Sequence, residues 1–321
     1  GSKPVTDLGV TAVDDKTLKV ELNVPVSYFL SLMYFPTFYP VNEAFYNTCA
    51  DTFGTSPETV LSNGAFTMTD YQPAATAFEL VKNPDYYDAD KVSLDGLSYQ
   101  VIKDSQQALM SYQNGDLDLT LLNGEQVEQV KDDPEFTSVG AGYLWYISPN
   151  MDAVPELANL NLRRAITFAL DRDSITNDVL KDGSSPAYTA VPAQFATGPD
   201  GSDFSADQTK FAEFCAYDPD KAAQLLDEAG WTDSDGDGIR DKDGTPLEMT
   251  MLYTSDYGSI GDGMLAIASQ LGKVGFKVNV SDMDMMTYYE ASMNGEYDII
   301  HYRTYGGSFD PFTVVTNMDP T

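Results

Sequence analysis

Histidine and cysteine are scarce in this sequence of 321 residues, which contains one histidine and two cysteines. His301 is not accompanied by a GxSxG or an HExxH motif, so no nucleophile and base pair of a hydrolase can be assembled. Cys49 and Cys215 lie far apart and outside any CxxC pair, which favours burial as small apolar side chains over a disulfide. These absences argue against an enzyme, and we expect no cofactor.

Basic residues are also few, because 18 lysines and arginines face 50 acidic residues and leave a formal charge of −32. Such a charge repels nucleic acid and anionic membrane surfaces, so neither is an expected partner. No apolar run approaches the ~20 residues that span a bilayer. With 42% hydrophobic residues, the chain has enough apolar side chains for the cores of two ordinary globular domains.

The first part of the chain predicts strands. Residues 10–22 alternate around a turn at Asp14-Asp15, which indicates a β-hairpin with one buried face. Residues 64–71 and 77–81 indicate a second hairpin. A strand over 97–102, a helix that Ser105 caps and a strand over 117–121 then predict a β-α-β unit.

Helices and strands alternate in the second part, which predicts an α/β domain. Periodicity lapses near residue 150, and Asn161 is placed to cap a helix with apolar residues at helical spacing. Asp218-Pro219 opens another helix that ends at Gly230, with Trp231 expected to pack behind it. We therefore predict two units, residues 3–148 (strand-rich) and residues 149–321 (α/β).

Four segments, taken in order, carry a family resemblance. They are GAFTMTDY at 64–71 with KNPDYY at 82–87, NLRRAITFALDR at 161–172, DPDKAAQLLDEAGW at 218–231 with DGDGIRD at 235–241, and the closing Asp310-Pro311. The chain resembles the peptide/nickel/opine family of extracytoplasmic solute-binding proteins, which deliver cargo to ABC importers.

The resemblance implies a two-lobed periplasmic-binding-protein-like α/β fold of type II, in the oligopeptide/nickel class. Members of the family are longer at both ends, so it implies a partial fold with part of lobe one over 3–148 and most of lobe two thereafter. It also implies a monomer in the periplasm or at the cell surface, with ABC permease subunits as partners. Any membrane association is expected through a lipid anchor outside this chain.

The segment from Tyr297 to Pro311 predicts the cargo site, because an apolar strand leads directly into a loop of aromatic, guanidinium, glycine and Asp-Pro groups. Two aromatic residues that precede residue 150 join it, as their strand has one face available for cargo. The candidate ligand-binding residues are Tyr143, Trp145, His301, Arg303, Tyr305, Gly307, Phe309 and Asp310.

The cargo class stays open among a short peptide, a metal chelate and an opine-like solute. Peptide-binding members of the family resemble one another in an Asp four residues before the loop proline, and Gly307 occupies that place here. The loop from Thr304 to Pro311 is more similar to the nickel- and metallophore-binding branch, and Arg303 is suited to pair with a chelate carboxylate. Phe312 stands where nickel members often carry histidine, so a chelate with its own ligands fits better than a naked ion.

Two further features have alternative interpretations. Asp233, Asp235 and Asp237 have the spacing of a calcium loop, but its twelfth position is Gly244, so a tight turn is favoured over a weak calcium site. A calcium-binding cell-surface adhesion module with no transport role is the alternative function. The arginines at 163, 164 and 172 lie on a helical pattern, where solvation or a salt bridge is favoured over contact with an anionic ligand.

Overall fold

The structure is a computed structural model that describes residues 4, 7–26, 28–192, 197–198, 200–203, 205, 212–257 and 260–303. The elements before residue 150 are β1 (Val10–Asp14), β2 (Thr17–Val20), α1 (Phe29–Leu32), α2 (Glu43–Cys49), β3 (Phe66–Asp70), β4 (Ala77–Lys82), β5 (Gly96–Gln100), α3 (Ser105–Gln113), α4 (Gly124–Val130) and β6 (Trp145–Pro149).

The later elements are α5 (Leu160–Ala169), α6 (Arg172–Ser174), a π-helical segment (Ile175–Leu180), α7 (Ala212–Cys215), α8 (Pro219–Glu228), β7 (Asp241–Lys242), β8 (Thr245–Pro246), β9 (Glu248–Tyr253), α9 (Ile260–Gly272), β10 (Lys277–Asp282), α10 (Met285–Asn294) and β11 (Ile299–Arg303). Short 3-10 helices lie at Pro36–Phe38, Ala50–Thr52, Pro57–Thr59, Ala89–Lys91, Pro155–Ala158 and Ser255–Tyr257. Within the described ranges, no helix combines the length and the apolar character that a membrane crossing requires.

Strands β1 and β2 form the predicted antiparallel hairpin, but the prediction of a buried face is wrong for this structure. The register places Val10 opposite Val20 and Ala12 opposite Leu18, so these four side chains share one apolar face. Every residue of both strands is nevertheless exposed, Leu18 to 66%. Alternation predicts which residues share a face, whereas burial needs a further layer, which a two-stranded ribbon cannot supply for itself.

Strands β3, β4 and β5 form an antiparallel sheet, which confirms the second hairpin. Helix α3 forms as predicted, but its cap is Asp104, whose Oδ1 accepts a hydrogen bond from the Gln107 amide at 2.7 Å. Residues 117–121 form no strand, so the predicted β-α-β unit is incomplete. Leu119 and Leu121 are 79% and 86% exposed. Their alternation suits a strand, but a strand forms only where a neighbour supplies hydrogen bonds.

A four-stranded sheet with the order β10-β9-β11-β6 organises the second part. Strands β10, β9 and β11 are parallel, and β6 joins β11 in antiparallel orientation. The predicted boundary between residues 148 and 149 falls inside β6, which belongs to this sheet. The division into two units at that point stays a prediction.

The main core lies on one face of this sheet, where α5, α8 and α9 pack. Phe168, Leu226 and Leu271 of these helices contact a cluster that includes Met251 and Ile299 of the sheet. Helix α10 covers the other face through Tyr288 and Ala291, which pack with Leu252 and Ile300. Burying a side chain of this size contributes about 1.5–3 kcal/mol, so the helices hold the sheet, and with it β6 and β11, in place.

Local signals position the helices of this core. Helix α5 is capped by Asn159 in place of the predicted Asn161, and the Asn159 Oδ1 accepts a hydrogen bond from the Asn161 amide at 2.9 Å. Asp218 caps α8 as predicted by accepting from the Lys221 amide at 2.9 Å. Trp231 is 4% exposed, which confirms its predicted packing behind this helix.

Candidate functional site

The ends of β6 and β11 bring together residues that are far apart in the sequence. The antiparallel register places Trp145 opposite Arg303 and Ile147 opposite His301. Directly opposed residues share a face and alternate residues return to it, so Trp145, Ile147, His301 and Arg303 lie on one face of the strand pair. Ile147 and Ile299 on this face contact the main core, which anchors the pair.

Aromatic rings and one guanidinium group meet at this place. The Trp145 and His301 rings stack at a centroid distance of 5.1 Å and an interplanar angle of 6°. The Arg303 Cζ lies 4.7 Å from the Tyr143 ring centroid and 5.3 Å from the Trp145 ring centroid. Each such cation–π contact contributes about 0.5–1 kcal/mol at exposed sites and about 2 kcal/mol when desolvated. We call Tyr143, Trp145, His301 and Arg303 the aromatic–arginine platform.

His301 forms the buried base of the platform, with only 2% of its surface exposed. Burial first, and the positive charge of Arg303 second, lower the pKa of His301 to about 4. The imidazole is therefore neutral at pH 7. The Tyr288 hydroxyl donates a hydrogen bond to the backbone carbonyl of His301, which fixes the strand from the opposite face. Among the residues that the structure describes, none provides a hydrogen-bond partner for the imidazole Nδ1.

The sequence-predicted residues divide into two groups. Tyr143, Trp145, His301 and Arg303 converge on the platform, although the sequence did not indicate that Trp145 stacks on His301. The remaining candidates follow β11 in the sequence and lie outside the described residues; they are Tyr305, Gly307, Phe309 and Asp310, together with Pro311.

Two residues that the sequence analysis did not single out hold the strand pair. Asn150 donates from Nδ2 to the carbonyls of Gly295 and Tyr297, each at 3.0 Å, and so fixes the end of β6 against the start of β11. Tyr288 holds the carbonyl of His301 from α10. The sequence feature that could have indicated Asn150 is its position directly after Ser148-Pro149, because an asparagine side chain in a turn commonly forms hydrogen bonds with backbone groups.

Two of the three helical arginines, Arg163 and Arg172, bind backbone carbonyls, where solvation or a salt bridge had been expected, and the Arg164 Cζ lies 5.9 Å from the Phe168 ring centroid. Arg163 Nη1 donates to the Leu157 carbonyl at 2.6 Å. Arg172 Nη1 donates to the carbonyls of Thr167, Leu170 and Cys215, and burial lowers the pKa of this guanidinium. These contacts tie chain segments next to the main core together.

In the acidic turn after α8, the aspartate carboxylates accept hydrogen bonds from backbone amides of the same turn. Asp233 accepts from the amides of Gly236 at 2.7 Å and Gly238 at 3.1 Å, and Asp237 accepts from Ile239 at 2.8 Å. The carboxylates of Asp233, Asp235 and Asp237 lie within 4.8 Å of one another and are exposed. Gly244, at the twelfth position of the calcium pattern, lies in the turn between β7 and β8. The absence of a tight calcium site stays a prediction.

Comparison with known proteins gives this geometry a context. The family described as bacterial extracellular solute-binding proteins, family 5 middle, matches residues 2–320. The oligopeptide-binding protein OppA of Bacillus subtilis is 37% identical over 198 residues, which are 60% of this chain and 36% of that protein.

Solved structures of solute-binding proteins are also similar to this chain. Listeria monocytogenes OppA bound to peptide superimposes with a TM-score of 0.75 at 29% identity, over 96% of this chain and 59% of that one. NikA from Brucella suis in complex with Fe(III)-EDTA shares the fold, with a TM-score of 0.67 at 24% identity over 80% of this chain and 50% of that one. The chain thus spans less than two thirds of the length of these proteins.

These neighbours confirm the two-lobed periplasmic-binding-protein class, and the family is one of solute-binding proteins and not of enzymes. With the family pattern matching from residue 2 to residue 320, this chain belongs to family 5 of the bacterial extracellular solute-binding proteins.

Proposed function

We propose that this chain is the cargo-binding part of an ABC importer, which captures a short peptide outside the cytoplasm and delivers it to the permease. The aromatic–arginine platform is the observation that carries the proposal. It offers flat apolar rings beside one fixed cation, and this combination suits a solute with both apolar and charged groups. The relatives named for oligopeptide binding, one of them solved with peptide, support the choice of cargo.

A metal chelate is the second candidate cargo, and an opine-like solute belongs with it as a carboxylate-rich small molecule. The sequence from Thr304 to Pro311 favours a chelate, as does the similarity of the fold to a protein solved with Fe(III)-EDTA. The one histidine of the chain is buried at the base of the platform, so a metal would have to arrive with its own ligands.

The location and the partners follow from the same proposal. The protein would act in the periplasm or at the cell surface as a monomer, held there by a lipid anchor outside this chain. A calcium-binding adhesion module is not favoured, because the chain belongs to a solute-binding family and the acidic carboxylates bind their own turn.

Native mass spectrometry of the intact protein, purified without denaturation, tests the proposal. We expect a bound species whose mass matches peptides of a few residues, and a chelate would be recognised by the isotope pattern of its metal. A protein that carries no bound species and takes up none from a pool of random tri- to pentapeptides or from Fe(III)-EDTA would contradict it.

A further inference from the structure

Helix α10 carries apolar side chains on the face that is turned away from the sheet. Met286, Tyr289 and Met293 have the spacing i, i+3 and i+7, so they lie along one side of the helix. Tyr288 and Ala291 lie on the other side, where they pack on the sheet. Met286 is 77% exposed and Met293 is 86% exposed. The two thioether groups therefore face solvent, while other residues attach α10 to the protein.

Methionine is concentrated in this part of the chain. Of the 12 methionines in the sequence, four lie between residues 283 and 293. Met283 packs against the small apolar cluster beneath α10, and Met285 is half-buried. The exposed pair, Met286 and Met293, thus lies on the same short segment as two partly covered thioether groups.

Methionines of the main core provide the contrast. Met249 and Met251 of β9 and Met264 of α9 belong to that core, and each is no more than 5% exposed. All methionines carry the same sulfur group, and their oxidation by a dissolved oxidant depends on whether the oxidant reaches the sulfur. Differences in oxidation rate between α10 and the core therefore measure access to the sulfur atom.

We propose that Met286 and Met293 form a reversible oxidation site, at which a peroxide converts the exposed thioethers of α10 to sulfoxides before the other described methionines react. Hydrogen peroxide transfers one oxygen atom to the sulfur, so the sulfur loses two electrons and the peroxide is reduced to water. A methionine sulfoxide reductase reverses the step, because two of its thiols become a disulfide and the oxygen leaves as water. The inference does not depend on the proposed function.

Oxidation at these two positions should change the surface and preserve the fold. Each sulfoxide replaces an apolar side chain by a polar one, so the outward face of α10 becomes polar. The helix is held by other contacts, since Tyr288 and Ala291 fill the apolar cluster and the Tyr288 hydroxyl donates to the His301 carbonyl. In contrast, a sulfoxide at the fully buried Met251 would place a polar group in the main core, which costs stability.

Timed treatment of the intact protein with hydrogen peroxide tests the inference. Samples are quenched and digested, and mass spectrometry measures the oxidised fraction of each methionine, with fragment ions to separate neighbouring residues. Retention on a hydrophobic-interaction column reports the polarity of the surface, and circular dichroism reports the fold. The test variant combines Met286→Leu with Met293→Leu. The matched control combines Met110→Leu with Met151→Leu, which removes two exposed methionines elsewhere.

We expect Met286 and Met293 to be oxidised first, at least about tenfold faster than the methionines of the main core, because only exposed sulfur atoms meet the peroxide directly. The oxidised wild-type protein and the control should elute earlier from the column with an unchanged circular dichroism spectrum. The test variant should lose most of this shift. Methionine sulfoxide reductases A and B, which act on the two sulfoxide epimers, should together restore the original elution.

Other results would overturn the inference. Earlier oxidation of Met110 or Met151 would place the most accessible thioether outside α10. Slow oxidation of Met286 and Met293 in the native protein that becomes fast in urea would show that this face is covered in the intact protein. Loss of the native spectrum while only these two residues are oxidised, or sulfoxides that the reductases do not remove, would also contradict it. The wild-type time course needs no variant, so it decides the order of oxidation even if the test variant does not fold.

Discussion

The indole ring of Trp145 and the imidazole ring of His301 lie parallel, 6° apart in plane and 5.1 Å apart in centroid distance. The two residues come from antiparallel neighbours, β6 and β11, and the same indole supports the guanidinium of Arg303. Trp145 is thus the central contact of the platform, because it links the buried base to the accessible cation.

Replacing Trp145 by leucine removes the ring stack and one cation–π contact together. From about 0.5–1.5 kcal/mol for an aromatic pair and about 0.5–1 kcal/mol for the cation–π contact, we expect the free energy of unfolding to fall by about 1–2.5 kcal/mol. Urea denaturation measures this change. Tyr99→Leu is the matched control, since it removes the Phe78–Tyr99 stack in the β3-β4-β5 sheet (4.7 Å, 8°). Only Trp145→Leu should also weaken cargo binding, and equal cargo affinity in both variants would contradict the role of the platform.

Titration of His301 should be visible without ambiguity, because it is the only histidine in the sequence. A two-dimensional NMR titration of the imidazole should give a pKa of about 4, well below the ordinary 6.5, since burial and Arg303 disfavour the charged form. A midpoint near 6.5 in the folded protein would show that the ring is hydrated and not buried.

Stability should depend on pH through the same group. The pKa of His301 in the folded state lies below its value in the unfolded state, because burial disfavours the charged imidazole. Its contribution to the free energy of unfolding is therefore complete above pH 6.5 and decreases as the pH falls from 6.5 to about 4. At 1.36 kcal/mol per unit, the decrease amounts to at most about 3 kcal/mol. Denaturation curves are measured between pH 5 and 7, because most carboxylates titrate below this range and contribute little to the change in stability there. The slope of unfolding free energy against pH should flatten in His301→Leu, and an unchanged slope would assign the effect to other groups.

Gly124 permits a close approach between α4 and the end of the π-helical segment. A Cβ at this position would lie 2.1 Å from the Leu180 carbonyl oxygen, so the backbones would have to move apart. We expect Gly124→Ala to lower the free energy of unfolding by about 1–3 kcal/mol, as other overpacked sites do. Gly140→Ala is the control, because a Cβ there meets no atom within 4 Å, and it should change stability by less than about 0.5 kcal/mol. If urea denaturation gives the same value for both variants, the contact with Leu180 does not constrain the fold.

Calcium should bind the acidic turn only weakly. Asp233 and Asp237 already accept backbone hydrogen bonds, and Gly244 supplies no carboxylate at the twelfth position of the loop. Calorimetry should therefore detect no calcium affinity of micromolar strength or tighter. A micromolar affinity that disappears in Asp235→Ala would overturn this prediction.

The local sequence was sufficient for most elements of the second part. Asp218 marks the start of α8, and apolar residues at helical spacing predict the buried face of α5. These signals work because capping and amphipathic spacing act within a few residues of the chain. Residues 117–121 show the limit of such signals, since their strand-like alternation meets no partner strand within the described part of the chain.

By itself, the sequence determined the family through the order of its motifs, the α/β class and the residue types available for cargo binding. Only the tertiary structure decided that Trp145 stacks on His301, that Arg303 covers two rings, and that the imidazole is buried and neutral. The physical reason is that pairing of β6 with β11 joins segments distant in the chain. Burial and pKa depend on everything that packs around a group, which no local pattern contains.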